Sequence, residues 1–532
     1  MRTRTVVALL LVGLAFQGVA FGQAAKPGTK PAATPPAPKA APAKAPVAKP
    51  SAPAEPQPVS TAPVGESLEG PLNVWLKNVS PRNRSALTLW PAWCGMPAMP
   101  SPDRVPMPAD CWSGMPDRAA WEKWAAAGGD LRGALRACSG ALVLGVAYGD
   151  AGVDAAWKAK GLVATPGSAP GEAAFPYLRA LRGVAAFAMI EMQRLGAAGK
   201  YDEAFVVGLD GLRVLRQAAE QRMLAEKTVA LELLASSLEG HRCFMADHLD
   251  RMPLEVLQRV ALKGYPFLKP GDRDRLARLE LPEGDRLVIE ERIARAFKSD
   301  GSPDAEKFVQ VFAAEAAADA PLDRFGAVAK WEGIAAAHGS LDATRERLGR
   351  VYDDWWRRWR MRFYDPLVER SSEFQRLNTM RYGVVSLLTG DLRRVFELRL
   401  SVIAELNGTA LAAGLCGFRK ENGSQWPRDL GQIFPLYAVK KMDMDPYSRK
   451  YATFLYRDVG DAGQAIETRW GQVQAQGACI WSLGVDHADG SAQTHVVGDA
   501  APVASDLVGP AEGDLVVWPP PRQLAQKAGL IK

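Results

Sequence analysis

Histidine is scarce in this chain, and the common catalytic motifs are absent from it. Only five of the 532 residues are histidine, which limits acid–base and metal sites built on imidazole. The sequence contains no GxSxG, HExxH, GxxxxGK[ST], GxGxxG or CxxC pattern. These patterns mark serine hydrolases, zinc peptidases, phosphate loops, dinucleotide folds and paired thiols. No reaction type can therefore be assigned from a motif.

Long apolar runs are missing as well, apart from a short one at the start of the chain. Arg2 and Arg4 precede an apolar stretch over residues 6–16, and small residues follow at Ala20 and Gly22. This order predicts a secretory signal peptide over residues 1–22, with an uncleaved anchor as the alternative. No later stretch reaches the roughly 18 uninterrupted apolar residues of a membrane span. We expect an exported protein of the periplasm or cell envelope, or a secreted one, without a transmembrane span after cleavage.

The basic character of the chain is concentrated in a spacer outside the folded part. Residues 23–66 are mostly Ala, Pro and Lys, with five lysines against two glutamates. Such a composition predicts a disordered, extended linker. With Arg2 and Arg4 set aside, residues 67–532 keep a net charge of +1 out of the chain's +6. A folded nucleic-acid interface needs a basic face, so we expect no nucleic acid among the partners.

Six cysteines in an exported chain permit up to three disulfides. Cys94 and Cys111 flank a short loop, and Cys416 and Cys479 both fall in the last quarter. The connectivity stays open, and buried free thiols are the alternative. The other two cysteines are Cys138 and Cys243.

The residues after the spacer divide into an irregular arm and a helical body. Residues 67–116 combine four tryptophans with many prolines, and this proline spacing argues against helix and predicts an extended arm. Residues 117–390 show helical periodicity rich in Ala, Leu, Glu and Arg. Within them, residues 177–220 resemble a single tetratricopeptide (TPR-like) hairpin, with a generic αα-hairpin as the alternative. Further helices are predicted near 222–247, 253–262, 283–298, 304–317, 341–364 and 391–420.

Three side-chain groups in the arm and body invite a functional interpretation. His241, Cys243, Asp247 and His248 share a predicted helix, but without the i,i+4 spacing of helical zinc ligands. The sulfur atoms of Cys94, Met96, Met99, Met107, Cys111 and Met115 suit copper(I) or irregular core packing. Tyr352, Trp355, Trp356, Trp359 and Phe363 alternate with arginines, which fits a core helix with stacked arginines, a nucleic-acid platform or a membrane-surface helix.

The last quarter of the chain has the most distinctive order of motifs. An amphipathic helix runs into Asn422-Gly423, and Trp426-Pro427 and Asp445-Pro446-Tyr447 follow. The segments 479–486 (CIWSLGVD) and 513–518 (GDLVVW) come next. This order resembles the C-terminal globular module of the major (G-type) pseudopilins of type II secretion. The resemblance implies a long helix packed against a small antiparallel sheet over residues 391–525. The overall expectation is therefore a mainly α fold with a small C-terminal α+β, pseudopilin-like module.

The same resemblance implies a calcium ion in the loop after the Ser-Leu-Gly-x-Asp segment. Carried over position by position, the ligands are the Leu483 carbonyl and Asp486, with Asp489 and Asp514 further on. Calcium prefers six to eight oxygen ligands. The loop between Gly490 and Gly513 is longer than in the family. His487 and His495 also depart from its pattern, and suit a transition metal better.

The beginning of the chain departs from true pseudopilins, which start with a prepilin peptidase site and a long apolar helix. Pilus-like polymerisation is therefore not expected. The whole chain resembles secreted bacterial proteins with a helical body, and this resemblance implies no activity. We expect a non-catalytic cell-envelope scaffold whose partners are other envelope proteins. The alternatives are an envelope hydrolase that uses two carboxylates and a metal carrier or sensor.

Overall fold

A computed structural model of the chain describes residues 68–166, 173–263, 270–312, 327–362, 365–449, 452–494 and 513–531. The predicted signal peptide and the spacer lie outside these ranges. Helices dominate the described residues, and one three-stranded antiparallel sheet lies near the C-terminus. The expected combination of a mainly α fold with a small α+β part is confirmed.

The helices of the described chain are α1 (Glu69–Lys77), α2 (Ala86–Cys94), α3 (Arg118–Ala126), α4 (Gly129–Cys138), α5 (Ala155–Ala159), α6 (Tyr177–Ala197), α7 (Tyr201–Ala218), α8 (Leu224–His248), α9 (Leu254–Gln258), α10 (Pro270–Ala277), α11 (Glu283–Arg295), α12 (Ala305–Val311), α13 (Ala327–Ala337), α14 (Leu341–Trp359), α15 (Pro366–Glu369), α16 (Gly383–Leu388), α17 (Leu392–Glu421) and α18 (Pro521–Lys527). Short 3₁₀ turns cover Pro81–Asn83, Pro108–Asp110, Leu430–Ile433 and Lys440–Met442, and a π turn covers Arg259–Lys263.

The segment predicted to be an irregular arm, residues 67–116, contains two helices, α1 and α2. Most of its prolines lie in the loop after α2, and Pro108 opens a 3₁₀ turn. Pro91 lies inside α2, so the argument that the prolines exclude helix is wrong there. Leu89, Trp90 and Trp93 of α2 are buried in the core. This packing outweighs the hydrogen bond that Pro91 cannot donate.

The hairpin predicted over residues 177–220 consists of α6 and α7. The turn between them includes Gly199, whose positive φ of 75° favours glycine. Both helices are amphipathic and bury their apolar faces against each other and against α8. The helical hairpin is thus present where the periodicity placed it.

The central element of the fold is α17, which has 30 residues. Every residue from 398 to 417 is buried, and the helix contacts α8, α9, α10 and the sheet. By length and composition the stretch Gly383–Glu421 also qualifies as a membrane span, but its apolar window lies entirely inside the protein. The buried core helix of a globular fold can have the same length and composition as a membrane span.

The described residues share one main core that crosses the predicted boundary at residue 390. It extends from Leu68 to Trp518, and α17 takes part in it along most of its length. The described residues also form a single unit by their contacts. A smaller cluster between the sheet and α18 contains Ile466, Cys479 and Ala525. The long helix therefore belongs to the helical body as much as to the C-terminal module.

The sheet has the order β1 (Leu455–Thr468), β2 (Gly471–Ser482) and β3 (Leu515–Trp518), all antiparallel. Leu455 pairs with Trp481, and Ile480 pairs with Trp518. The two long strands β1 and β2 are consecutive in the chain and form a hairpin. The inner end of β2 and β3 lies against α17.

All six cysteines are within the described residues, and each is a free thiol. The suggested pairs Cys94–Cys111 and Cys416–Cys479 are therefore not disulfides in this structure. Burial raises the pKa of the Cys138 and Cys479 thiols to about 12 and also raises those of Cys111, Cys243 and Cys416. Such thiols behave as small apolar side chains rather than nucleophiles.

Candidate functional site

The loop that follows β2 is the site with the most specific sequence prediction. Gly484 has φ of +67°, and a Cβ at this position would lie 1.9 Å from the Gly513 carbonyl oxygen. Only glycine fits this approach. The contact brings the segment 482–486 beside the residue before β3, which is Asp514. The fold therefore brings the two parts of the predicted calcium loop together.

Asp514 is the most unusual carboxylate of this loop. It is 3% exposed, and its Oδ2 accepts a hydrogen bond from Ala492 N at 2.7 Å. Its Oδ1 is buried and has no partner among the described residues. Burial is the largest cause that raises the pKa of Asp514 to about 6; the charges of Asp489 and Asp486 add to this rise, and hydrogen bonds from the Gly490 and Ala492 amides oppose it. The Asp514 carboxyl therefore holds its proton more tightly than an exposed aspartate does.

The other predicted ligands use at least part of their hydrogen-bonding capacity within the loop. Asp486 Oδ1 accepts from Ala488 N at 3.0 Å, and Asp489 Oδ1 accepts from Trp481 Nε1 at 3.1 Å. Within the described ranges, no group of three or more His, Cys, Asp or Glu side chains is arranged to hold a metal ion. The charges of Asp486 and Asp489 reach Asp514, but the side chains do not converge on one point. Asp499, Asp506 and His495 lie outside the described residues.

Asp445 organises the loop, a role that the sequence interpretation did not give it. Its carboxylate accepts hydrogen bonds from Ser482 Oγ at 2.7 Å, Leu483 N at 3.0 Å and Tyr447 N at 2.9 Å. The hydrogen bond from Tyr447 N closes a turn at Asp445-Pro446. The bonds to Ser482 and Leu483 join this turn to the end of β2. Only the Asp-Pro pair signalled this residue in the sequence.

His487 is fixed by the backbone of the same turn. Its Nδ1 lies 2.7 Å from the Tyr447 carbonyl oxygen, which selects the tautomer protonated at Nδ1. The histidine therefore contributes to the connection between the turn and the loop.

The histidine and cysteine group on α8 is part of the helix packing. His241 is fully buried, its Nδ1 lies 2.7 Å from Ser237 O, and burial lowers its pKa to about 4. His248 packs on Phe244 with a centroid distance of 4.7 Å. Asp247 accepts from Gln523 Nε2 at 2.8 Å. The four side chains thus have separate partners or packing environments.

The sulfur-rich segment packs largely into the core around α2 and α3. Met96, Met107, Cys111 and Met115 are buried, whereas Cys94 and Met99 are half-buried. Cys111 Sγ lies 3.4 Å from Met107 O. These positions are those of side chains that fill irregular gaps.

The aromatic face on α14 is a core face. Tyr352, Trp355 and Trp359 are buried, and Phe363 lies outside the described residues. Arg360 stacks on Trp356 with its Cζ 4.0 Å from the ring centroid. Arg358 donates to Asp354 at 2.9 Å. The prediction of a core helix with stacked arginines is confirmed.

Glu226 is a buried acid that sequence reasoning missed. It is fully buried on α8 and accepts hydrogen bonds from Tyr148 Oη at 2.5 Å and Tyr177 Oη at 2.7 Å. Burial raises its pKa, and the two hydroxyl donors oppose this rise. The three side chains join the N-terminal part, α6 and α8. Complete burial makes this a structural network rather than a reactive site.

Comparison of the chain with protein-family models, curated proteins and solved structures gives no match. A functional interpretation must therefore be based on the sequence and on the geometry described above.

Proposed function

We propose that the chain is a non-catalytic exported protein of the cell envelope that binds other envelope proteins through its helical body. The signal-like N-terminus supports export. The Lys/Pro spacer would let the helical body extend away from its point of attachment to reach its partners. The proposal is based on the burial of the side chains that most often carry out catalysis. Five of the six cysteines and three of the five histidines are buried in the fold. The best-partnered acid, Glu226, has no exposed surface.

The test is affinity purification of the tagged chain from its own envelope, with chemical crosslinking and quantitative mass spectrometry. A matched sample carries a tagged, unrelated exported protein. We expect the same few envelope proteins to be enriched in every replicate, and to be competed away by excess untagged chain. Absence of a reproducible, competable partner contradicts the proposal.

Hydrolysis is tested separately. The purified chain is incubated with isolated envelope polysaccharides, and released reducing ends are measured over time. No release above a heat-inactivated sample is expected. Release that follows the protein concentration and disappears on mutation of a carboxylate would instead support the hydrolase alternative.

A second candidate function is calcium binding by the C-terminal loop, in keeping with the pseudopilin-like order of its motifs. The specific observation in its favour is Asp514 Oδ1, a buried carboxylate oxygen without a partner among the described residues. Asp514 would be one ligand, with Asp486, Asp489 and the Leu483 carbonyl as the further candidates. A bound divalent cation would offset the cost of this buried charge.

Calcium binding is measured by thermal unfolding of the full mature chain in EDTA, in about 5 mM Mg²⁺ and in about 5 mM Ca²⁺. Extracellular calcium modules bind with Kd of roughly 10⁻⁴–10⁻³ M, so we expect about 1–2 kcal/mol of stabilisation by calcium alone. Asp514→Asn should abolish it. Asp458→Asn, an exposed carboxylate on β1, should keep it. Equal responses of wild type and Asp514→Asn would exclude this site.

A further inference from the structure

A cavity of about 360 Å³ lies where α17 begins. Its wall is formed by the start of α17, by the end of α14 and by the segment 368–375. Cavities of roughly 300–1,000 Å³ are typical of small-molecule sites, and this one is near the lower limit. Its size suits a ligand of one or two rings.

Aromatic side chains form the apolar part of the wall. Trp355, Phe374 and Phe396 line the cavity, and the rings of Trp355 and Phe396 are 6.2 Å apart between centroids. Trp355 and Phe396 are themselves well packed, whereas Phe374 is half-buried. Phe374 therefore provides most of the accessible ring surface in this wall, supported by the two packed rings, and the apolar face of another ring can pack on such a surface.

The charges around the cavity are balanced. Arg358 is paired with Asp354 at 2.9 Å, and Arg393 is paired with Glu397 at 2.7 Å. The partial positive charge at the start of α17 meets Asp391, whose Oδ1 accepts from Arg394 N at 2.9 Å. An anionic ligand would compete with Asp391 and Glu397, and a cationic one would face two arginines. A neutral ligand meets neither obstacle.

One polar side chain in the wall lacks a partner. Thr389 lines the cavity and is 7% exposed, and its Oγ1 is buried without a hydrogen-bond partner among the described residues. Leaving a buried hydroxyl unpaired costs on the order of 1–3 kcal/mol. A hydroxyl group on a ligand could share one hydrogen bond with the Thr389 hydroxyl, either as its donor or as its acceptor. Gln375 also lines the cavity and is exposed, and its Oε1 accepts from Ser372 N at 2.9 Å.

We propose that this cavity binds a neutral sugar of one or two rings, with an apolar ring face against the aromatic wall and a hydroxyl on Thr389. The combination of aromatic walls, balanced charge and an unpaired buried hydroxyl matches a ligand that is uncharged, cyclic and rich in hydroxyl groups. The proposal does not depend on the scaffold function or on calcium, because none of the residues that carry it belongs to the C-terminal loop.

The test uses isothermal titration calorimetry and tryptophan fluorescence on the full mature chain. The neutral probes are glucose, N-acetylglucosamine and their β-1,4-linked disaccharides. Glucosamine, glucuronate and indole serve as the cationic, anionic and hydroxyl-free comparisons. We expect saturable binding of at least one neutral probe, at least about tenfold weaker binding of its charged counterpart, and no matching affinity for indole.

Variants locate the binding. Thr389→Val should weaken it about fivefold to tenfold, the effect of one lost hydrogen bond. Phe374→Ala should weaken it by a similar factor through the lost ring contact, and it decides the matter if Thr389→Val fails to fold. Thr344→Val, a buried threonine on α14 whose hydroxyl donates to Ser340 O at 2.8 Å, is the control and should bind normally.

Three results would overturn the proposal. They are the absence of saturable binding by every neutral probe, indole binding as tightly as the sugars, and sugar binding that neither Thr389→Val nor Phe374→Ala weakens. None of them bears on the partner and calcium experiments, which read out crosslinked proteins and thermal stability.

Discussion

At the scale of single residues, several charged side chains are buried in the core of this protein, each with its own partners. Arg242 on α8 and Glu405 on α17 form an ion pair inside the core, and Arg242 also donates to Thr409 Oγ1 at 2.9 Å. Arg399 donates to Trp359 O at 2.6 Å and stacks on the Trp359 ring at 4.2 Å. Burial lowers the Arg399 pKa to about 9. Each buried charge is stabilised by particular neighbours. Removing one neighbour therefore leaves a buried charge unpaired, which lowers the stability of the folded state.

The Arg242–Glu405 pair should be far more sensitive to single than to double substitution. Arg242→Met leaves the Glu405 carboxyl buried without its partner, so we expect the free energy of unfolding to fall by about 3–5 kcal/mol. Arg242→Met combined with Glu405→Leu should recover most of this loss, because both desolvation costs disappear together. The free energies of unfolding of the single and the double variant are measured by urea denaturation monitored by circular dichroism. A double variant as unstable as the single one would show that the pair is net stabilising.

Asp514 should make stability depend on pH in a predictable direction. Its folded pKa of about 6 lies above the usual value of about 3.9 for an unfolded Asp. The folded state therefore binds the proton more tightly, and this side chain's contribution declines as the pH rises from about 4 to about 6. In EDTA at pH 7.5, Asp514→Asn should be more stable than wild type by about 1–3 kcal/mol.

The measurement compares urea unfolding of both proteins at pH 4.5 and pH 7.5. The difference between them should be larger at pH 7.5. Asp458→Asn, exposed on β1, should follow wild type at both values. A difference that does not change with pH would mean that the Asp514 carboxylate is not the titrating group.

At the scale of elements, α17 is the helix on which the others assemble, and small residues let them approach. A Cβ at Gly408 would lie 2.5 Å from Val517 Cγ1 on β3, and one at Gly414 would lie 2.9 Å from the Tyr437 carbonyl oxygen. Such contacts leave no room for a methyl group without movement of the neighbouring strand or loop. Helix α17 thus contacts both the sheet and α8 closely.

Two glycine-to-alanine substitutions should therefore have opposite effects. Gly408→Ala should lower the free energy of unfolding by about 1–3 kcal/mol through overpacking against β3. Gly133→Ala, inside α4, meets no atom within 4 Å and should raise it by about 0.5–1 kcal/mol. Chemical denaturation of the two variants beside wild type checks both signs. Stabilisation by Gly408→Ala would mean that the sheet is not tightly packed on α17.

At the scale of the whole molecule, the C-terminal sheet and the helical body share one core. Arg522 on α18 is paired with Asp110 and Glu239, and its guanidinium lies 5.0 Å from the Trp470 ring centroid. These contacts join the N-terminal segment, α8 and β1–β2 through one side chain. The C-terminal part is therefore tied to the body at several points and not only through α17.

A fragment of residues 391–531 is accordingly expected not to fold by itself. Without α8, the buried face of α17 and the Glu405 carboxylate would be exposed to water. Circular dichroism and two-dimensional NMR should show loss of fixed tertiary structure, whereas a chain of residues 68–532 should unfold cooperatively. Cooperative unfolding of the short fragment would identify it as an autonomous module.

The sequence predicted elements whose signals are local. The hairpin of α6 and α7, the helices α8, α11, α14 and α17, and a sheet at the C-terminus were all placed correctly, because apolar periodicity and turn residues act over a few positions. It failed at α2, where packing of Trp90 and Trp93 outweighs Pro91. It gave no bounds for the β1–β2 hairpin, because the outer part of this hairpin around Gly460 and Gly463 lacks apolar alternation.

The candidate sites divide in the same way. The sequence by itself determined the helical class and the order of motifs around Ser482 and Asp486, because these are properties of contiguous residues; the export signal and the spacer are predictions of the same local kind. Only the tertiary structure decided that Asp445 joins two segments, that Asp514 Oδ1 and Thr389 Oγ1 are buried without partners in the described chain, and that Arg242 faces Glu405. Such facts arise from contacts between residues far apart in the chain, and no local pattern encodes them.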